Sequence, residues 1–183
     1  MKKALLCFLV LFMVIGALFS SSELSSNKLG PNKLGFSLDF GAVQDPIFNK
    51  GSFQITGDFR FSLPDGFEVR LPLGFTKGGS SNLMEVGVML TYYPWETGPF
   101  MGLTLFAVGF SNGSEVLENL INLNEVLLGW TFNLGHGLIL KPSLCVRDPS
   151  GTFSEEYSQL KGTFPCYKTF RFRLSFGWFF LEV

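Results

Sequence analysis

From Thr169 to Phe180 the chain alternates strictly: Phe170, Phe172, Leu174, Phe176, Trp178 and Phe180 fall on one phase, and Arg171, Arg173, Ser175, Gly177 and Phe179 on the other. A period of two predicts a β-strand with one large apolar face and a reverse that carries two arginines. In water, Phe and Trp at every outward position would make such a strand insoluble. A strand of a transmembrane β-barrel removes the conflict, because its aromatic side meets lipid and its arginines meet a polar interior.

Similar segments precede it. The first strand sets Phe36, Leu38, Phe40 and Ala42 against Ser37, Asp39 and Gly41; the second sets Phe53, Ile55, Phe59 and Phe61 against Gln54, Thr56, Asp58, Arg60 and Ser62. Pro64-Asp65-Gly66 then reads as a three-residue hairpin turn, of type I with a left-handed third position. Pairing across it puts Phe61 opposite Val69, Phe59 opposite Leu71, Ser62 opposite Glu68 and Arg60 opposite Arg70. The third strand runs through Leu73 and Phe75 and breaks at residues 77–82. The fourth points Met84, Val86, Val88, Leu90 and Tyr92 outward and Glu85, Gly87 and Thr91 inward, before a turn at residues 94–99 that places Trp95 in an interfacial girdle.

The fifth strand, Phe100 to Phe110, is apolar on both phases; taking Met101, Leu103 and Leu105 as its inner face makes that face greasy. Ser114 to Leu123 reads as a short amphipathic helix, with Ser114 as N-cap and Val116, Leu117, Leu120 and Ile121 forming an apolar gate or loop helix. The sixth strand sets Val126, Leu128, Trp130 and Phe132 against Glu125, Gly129, Thr131 and Asn133. Gly135-His136-Gly137 is a second three-residue turn, with Leu134 facing Leu138 and Glu125 facing Arg147. Residues 148–163 form a long connection to the last strand. The expected fold class is an all-β, eight-stranded antiparallel up-and-down transmembrane β-barrel, with connections that alternate long and short. Pro72 and Pro142 lie inside strands, where each predicts a local bulge.

Composition and charge add the address. Lys2 and Lys3 precede an apolar run from Ala4 to Phe19 and then Ser20, Ser21 and Ser22, the order of a secretory signal peptide. The expected organisation is a signal peptide over residues 1–22, a periplasmic linker over 23–34 and the barrel over 35–183. A spanning anchor fits less well, since the run is short for one. With Lys2 and Lys3 removed, 12 Lys and Arg face 15 Asp and Glu and the formal charge is −3, which implies no nucleic-acid partner. Charged residues make up only 16% of the chain, against about 25–35% for a soluble domain's surface. The alternative is a soluble barrel or sandwich with its Phe-rich face inside. It would expose a face of Gly, Ser, Thr and sparse charge with almost no Lys, unlike an ordinary wetted strand.

These features resemble the small eight-stranded outer-membrane barrels of Gram-negative-type bacteria, of the OmpX, OmpA membrane domain and OmpW kind. The likeness runs from Gly35 to Phe180 and is architectural: strand count, face alternation, short inner turns and a C-terminal aromatic strand. Those barrels usually end in an aromatic residue, whereas this chain ends Leu181-Glu182-Val183. The resemblance implies an exported outer-membrane protein.

Function is read from what the strands point inward. Asp39, Asp58, Glu68, Glu85 and Glu125 share the interior with Arg60, Arg70, Lys141, Arg147, Arg171 and Arg173, and such near balance is what a low-dielectric lumen requires. The expected role is structural or surface-interacting, with the lumen plugged by ion pairs, membrane lipid around the wall, host or neighbouring surface molecules at the loops, and a monomeric state. The alternative is a narrow conduit for small apolar solutes, as in the OmpW type, motivated by Met101, Leu103, Leu105 and the Val116–Leu123 segment. A lipid-modifying enzyme of similar architecture would use a His and a Ser on the outer rim, but the single histidine, His136, falls in an inner turn. No catalytic, cofactor or metal residues are assigned. Cys145 and Cys166 flank the last long loop and are candidates for a disulfide in an oxidising compartment, or for two separate buried thiols.

Overall fold

A computed structural model describes residues 32–40, 51–95, 98–112 and 120–182. The expected signal peptide and most of the linker lie outside the described residues, as do Val116 and Leu117. The elements are β1 (Lys33–Asp39), β2 (Ser52–Ser62), β3 (Phe67–Gly78), β4 (Ser81–Tyr92), β5 (Gly98–Asn112), β6 (Leu120–Asn122), β7 (Glu125–Gly135), β8 (Leu138–Arg147), one helix α1 (Ser154–Thr163) and β9 (Phe170–Glu182). Neighbours pair antiparallel in the order β4-β3-β2-β1-β9-β8-β7-β5, and β4 also pairs with β5, which closes an eight-stranded barrel. The short β6 continues the wall above β7 by pairing with Phe110, Gly109 and Val108 of β5.

Closure satisfies the backbone edge to edge, and the alternation then decides what each face meets. Phe36, Phe59, Leu71, Leu73, Leu128, Trp178 and Phe180 stand outside the wall, and Met84, Phe106 and Phe170 are 63%, 59% and 65% exposed. Arg60, Glu68 and Arg147 are 1%, 0% and 1% exposed. The Phe-rich face is therefore the exterior, and the soluble reading with that face inside is overturned. A continuous apolar exterior around a charged interior is the construction of a transmembrane β-barrel.

The register expected for the first hairpin holds: Phe59↔Leu71, Arg60↔Arg70, Phe61↔Val69 and Ser62↔Glu68 are partners. Its turn is tighter than a type I form, because Asp65 (φ 59) as well as Gly66 (φ 77) is left-handed. The second hairpin also keeps its expected register, Glu125↔Arg147 and Leu128↔Leu144 through Asn133↔Ile139, and slips only at its end, where Leu134 is bulged. Leu138 pairs with Gly135 and not with Leu134, leaving a two-residue His136-Gly137 turn. Both turn residues have positive φ (52 and 77), the type I′ geometry whose twist suits two antiparallel strands. Residues 77–82 are not an open loop: Gly78 pairs with Ser81 across Gly79-Ser80. The long connections therefore do not recur at every second position.

Three further expectations are corrected. Met101, Leu103 and Leu105 point outward at 52%, 52% and 59% exposure, while Phe100 and Gly102 face in. A bulge sets the phase: Val88 pairs with Phe106 and Met89 with Thr104, so Leu105 is the extra residue and both it and Phe106 reach the exterior. Leu120 to Asn122 are strand and not helix, since the free edge of β5 above β7 needs a backbone partner. Neither proline makes a bulge. Asp58↔Pro72 and Pro142↔Leu174 pair in register on one side, and on the other the ladder merely skips, from Arg70↔Met89 to Leu73↔Val86 and from Gly129↔Ser143 to Phe132↔Leu140. A strand residue offers its N–H and C=O to one edge only, so the missing donor disturbs one neighbour.

Leu103→Arg tests the phase of β5. On a lipid-facing mid-strand position it should destabilise the barrel by roughly 2–4 kcal/mol, read as a lowered urea midpoint in lipid vesicles.

Candidate functional site: the closed lumen

The strands bring most of the expected interior charges into two layers. The lower layer lies toward the short turns. There Arg60 of β2 binds Glu68 of β3 through both carboxylate oxygens, and its Nη2 donates to the Tyr93 hydroxyl at 3.1 Å. Lys141 of β8 reaches the same carboxylate at 3.4 Å, donates to Tyr93, and stands 4.3 Å over the Phe100 ring. Arg60 in turn lies 5.1 Å from the centre of the Phe179 ring. Beside this cluster Arg70 pairs with Asp58, which also accepts from the Ser37 hydroxyl at 3.1 Å. Arg60 and Arg70 are direct partners across the β2–β3 ladder, and the carboxylates of Asp58 and Glu68 are what let two guanidiniums share that position.

The middle layer is a chain of alternating charge. Asp39 of β1 accepts from Arg173 Nε at 2.7 Å, Arg173 Nη1 donates to Glu125 at 3.3 Å, and Glu125 accepts from Arg147 Nε at 2.7 Å. Arg147 Nη2 also donates to the Gln54 side-chain oxygen at 2.6 Å. The Arg171 guanidinium donates to the backbone oxygens of Cys166 (3.2 Å) and Gln54 (3.4 Å). Glu85 accepts from Gln54 Nε2 (2.6 Å), Thr76 (3.2 Å) and Tyr167 (2.5 Å), so hydrogen-bond donors surround it. Near this layer a cavity of about 40 Å³ is bordered by Gln54, Thr56, Glu85, Thr104, Glu125 and Arg173, room for roughly two or three waters.

The third layer was not legible in the strand pattern. The connection between β8 and β9 turns into the mouth of the barrel, where Tyr157, Leu160, Phe164, Cys166 and Tyr167 pack with Leu83, Ile121 and Leu123. Ile121 thus does sit in an apolar stopper, though as a strand residue. Phe164 fills the space over Gly78, where a Cβ would come within 2.7 Å of its ring. Tyr167 lies with its ring 3.7 Å beneath the Arg147 guanidinium and its hydroxyl on Glu85. Burial, and then the Glu85 carboxylate, push the Tyr167 phenol well above its ordinary range, so it stays a donor. Tyr93 and Tyr167 are the interior partners that sequence reasoning missed, whereas Gln54 lies on the inward phase read from the second strand. The available signal was the pair of tyrosines in an otherwise polar segment, Tyr157 and Tyr167.

The proposed disulfide is not formed. Cys166 belongs to the stopper, whereas Cys145 lies deeper among Met89, Tyr93, Phe100 and Leu127, so the two thiols occupy different layers. Among the described residues no group of three or more His, Cys, Asp or Glu is placed to hold a metal ion. His136 is a turn residue at the short-turn rim. Among the described residues no helix is long and apolar enough to span a membrane, which says nothing of a crossing made by strands.

No protein-family model matches the chain, and no curated protein does. Among solved structures, the de novo designed protein TMB2.3, determined in solution by NMR, is similar at a TM-score of 0.45 and 12% identity, over 83% of this chain and 97% of that one. The eight-stranded closure stands on the strand pairing itself.

Two outcomes follow from the layers. Glu68→Ala leaves Arg60 and Lys141 buried without their shared carboxylate and should cost roughly 3–5 kcal/mol, measured as a fall in the urea midpoint of the reconstituted protein. For Tyr167, free tyrosine ionises near pH 10 while the folded phenol holds its proton beyond that. Its contribution is therefore whole below pH 10 and is lost as pH rises above it. The urea midpoint should drop above pH 10, and drop less in Tyr167→Phe.

Proposed function

We propose that the chain is an exported bacterial outer-membrane barrel protein with a structural or surface-interaction role, akin in architecture to the small barrels of the OmpX, OmpA and OmpW kind. The observation that carries this reading is the sealed interior. Two layers of buried ion pairs and a folded stopper succeed one another along the lumen, and eight strands leave a bore that side chains fill. A protein built this way works through its surfaces. Its wall meets lipid, and its long-loop rim is the face offered to host or neighbouring surface molecules. Among the described residues closure pairs both edges of each of the eight wall strands and leaves only the three-residue β6 at an edge, which fits a monomer.

Orientation follows from the same features. Trp95, Trp130, Trp178 and Tyr92 are exposed and lie toward the short turns, where amphipathic rings anchor a barrel at a membrane interface. This rim is the inner one in our reading, and α1 marks the outside. The leader over residues 1–22 supplies export. We assign no catalytic step, cofactor or metal. The conduit for apolar solutes loses part of its motive, because Met101, Leu103 and Leu105 face lipid and not the lumen.

Planar-bilayer recording tests the sealed barrel. The wild-type monomer should give no steady conductance, and Glu68→Ala should leak. Steady wild-type conductance that Glu68→Ala leaves unchanged would overturn the proposal in favour of the conduit.

A further inference from the structure

The seals at the two ends of the lumen differ in what carries them. The lower one is built from residues of the wall: Arg60 on β2, Glu68 and Arg70 on β3, Phe100 on β5, Lys141 on β8 and Phe179 on β9. It cannot move unless backbone ladders open. The upper one is borne by the connection between β8 and β9, outside every ladder. Within residues 150–168 the backbone–backbone bonds are local, as in Tyr157 N to Phe153 O, Phe164 N to Leu160 O and Tyr167 N to Phe164 O, while the ends of the segment are tied by Asp148 N to Asn124 O and Arg147 N to Thr169 O.

Its attachments to the wall use side chains. The Tyr157 hydroxyl donates to Asn124 O at 2.7 Å, Cys166 N donates to Ser52 Oγ at 2.9 Å, and the Tyr167 hydroxyl donates to Glu85 at 2.5 Å. Tyr167 alone among these touches two charged side chains, since the buried Arg147 also covers its ring. The segment enters through Asp148 (φ 50) and Gly151 (φ 70), both left-handed, and a ten-residue helix such as α1 is marginal away from its packing. Below it lies the small cavity of mixed lining, where Gln54, Glu85 and Glu125 border it together with Val86, Met89, Ala107 and Leu123.

We infer that residues 150–168 form a hinged lid on a blind vestibule, latched to the wall by Tyr167 on Glu85 and Arg147. When the lid lifts, the upper lumen opens toward the long-loop side only. What it would admit is water and solutes of comparable size, which enter from the long-loop side and cannot pass through. This inference rests on the sealed-barrel reading and deepens it.

The chain carries its own reporters. Cys166 belongs to the lid, and Cys145 lies deeper in the wall. Full-length protein, folded in vesicles and checked by heat-modifiable migration, would be treated with a small charged methanethiosulfonate reagent, each thiol being followed by peptide mass mapping. In the wild type, Cys145 should stay unlabelled and Cys166 should react slowly. Tyr167→Phe, which keeps the ring and deletes the latch hydroxyl, should speed Cys166 labelling about tenfold or more and leave Cys145 protected, since hydrogen bonds to charged groups carry effects of that size. Glu85→Gln, which leaves only a neutral acceptor for the Tyr167 hydroxyl, should act in the same direction but more weakly, and the double variant should add nothing to Tyr167→Phe, because both act on one bond. Unchanged Cys166 labelling in both variants, additive effects, or equal acceleration at Cys145 would overturn the lid. Rapid Cys145 labelling in the wild type would instead overturn the sealed barrel.

Discussion

Every part of this molecule answers to one constraint: backbone polar groups in hydrocarbon must be bonded within the protein, and a sheet meets that demand only by closing. Closure with eight strands fixes a narrow bore, so the interior has to be filled. Because the exterior claims the apolar residues, the filling has to be polar. Charges held in a space of low dielectric must then be paired. The alternation of Phe with Arg, the ion-pair layers and the near balance of acids and bases are successive consequences of that closure.

Pairing is reached by geometry as much as by count. Arg60 and Arg70 are cross-strand partners, an arrangement that repels unless each guanidinium has a carboxylate of its own. Glu68 serves the first and Asp58 the second, one from each strand of the same hairpin. The tight turn at Pro64–Gly66 sets the register that makes this exchange possible. Aromatic faces and backbone oxygens add to the carboxylates: Phe179 under Arg60, Phe100 under Lys141, and the Cys166 and Gln54 carbonyls for Arg171.

The two ends solve the filling problem differently, and this difference gives the protein its polarity. At the short-turn end the strands are joined too closely for a loop to enter, so wall residues meet across the bore. At the other end the β8–β9 connection is long enough to fold inward and bring its own apolar core against Leu83, Ile121 and Leu123. A stopper made from a connection is held by side-chain contacts, whereas one made from strands is held by the ladders as well.

The sequence by itself determined the face alternation, the eight strands, the register of both short-turn hairpins up to the slip at Leu134 and nearly all of the inward charges, because a period of two written in Phe and Arg survives without any tertiary knowledge. Asp39, Arg60, Glu68 and Arg173 were legible in this way. Only the tertiary structure decided the phase of β5, since both its faces are apolar and the Leu105 bulge that sets the phase is fixed by pairing with β4. The same holds for Leu120–Asn122, whose helical pattern yielded to an open strand edge. It holds too for the inward course of residues 148–169, for which no local period exists. Tyr167 finds Glu85 across 82 residues of chain, and nothing short of the closed barrel brings them together.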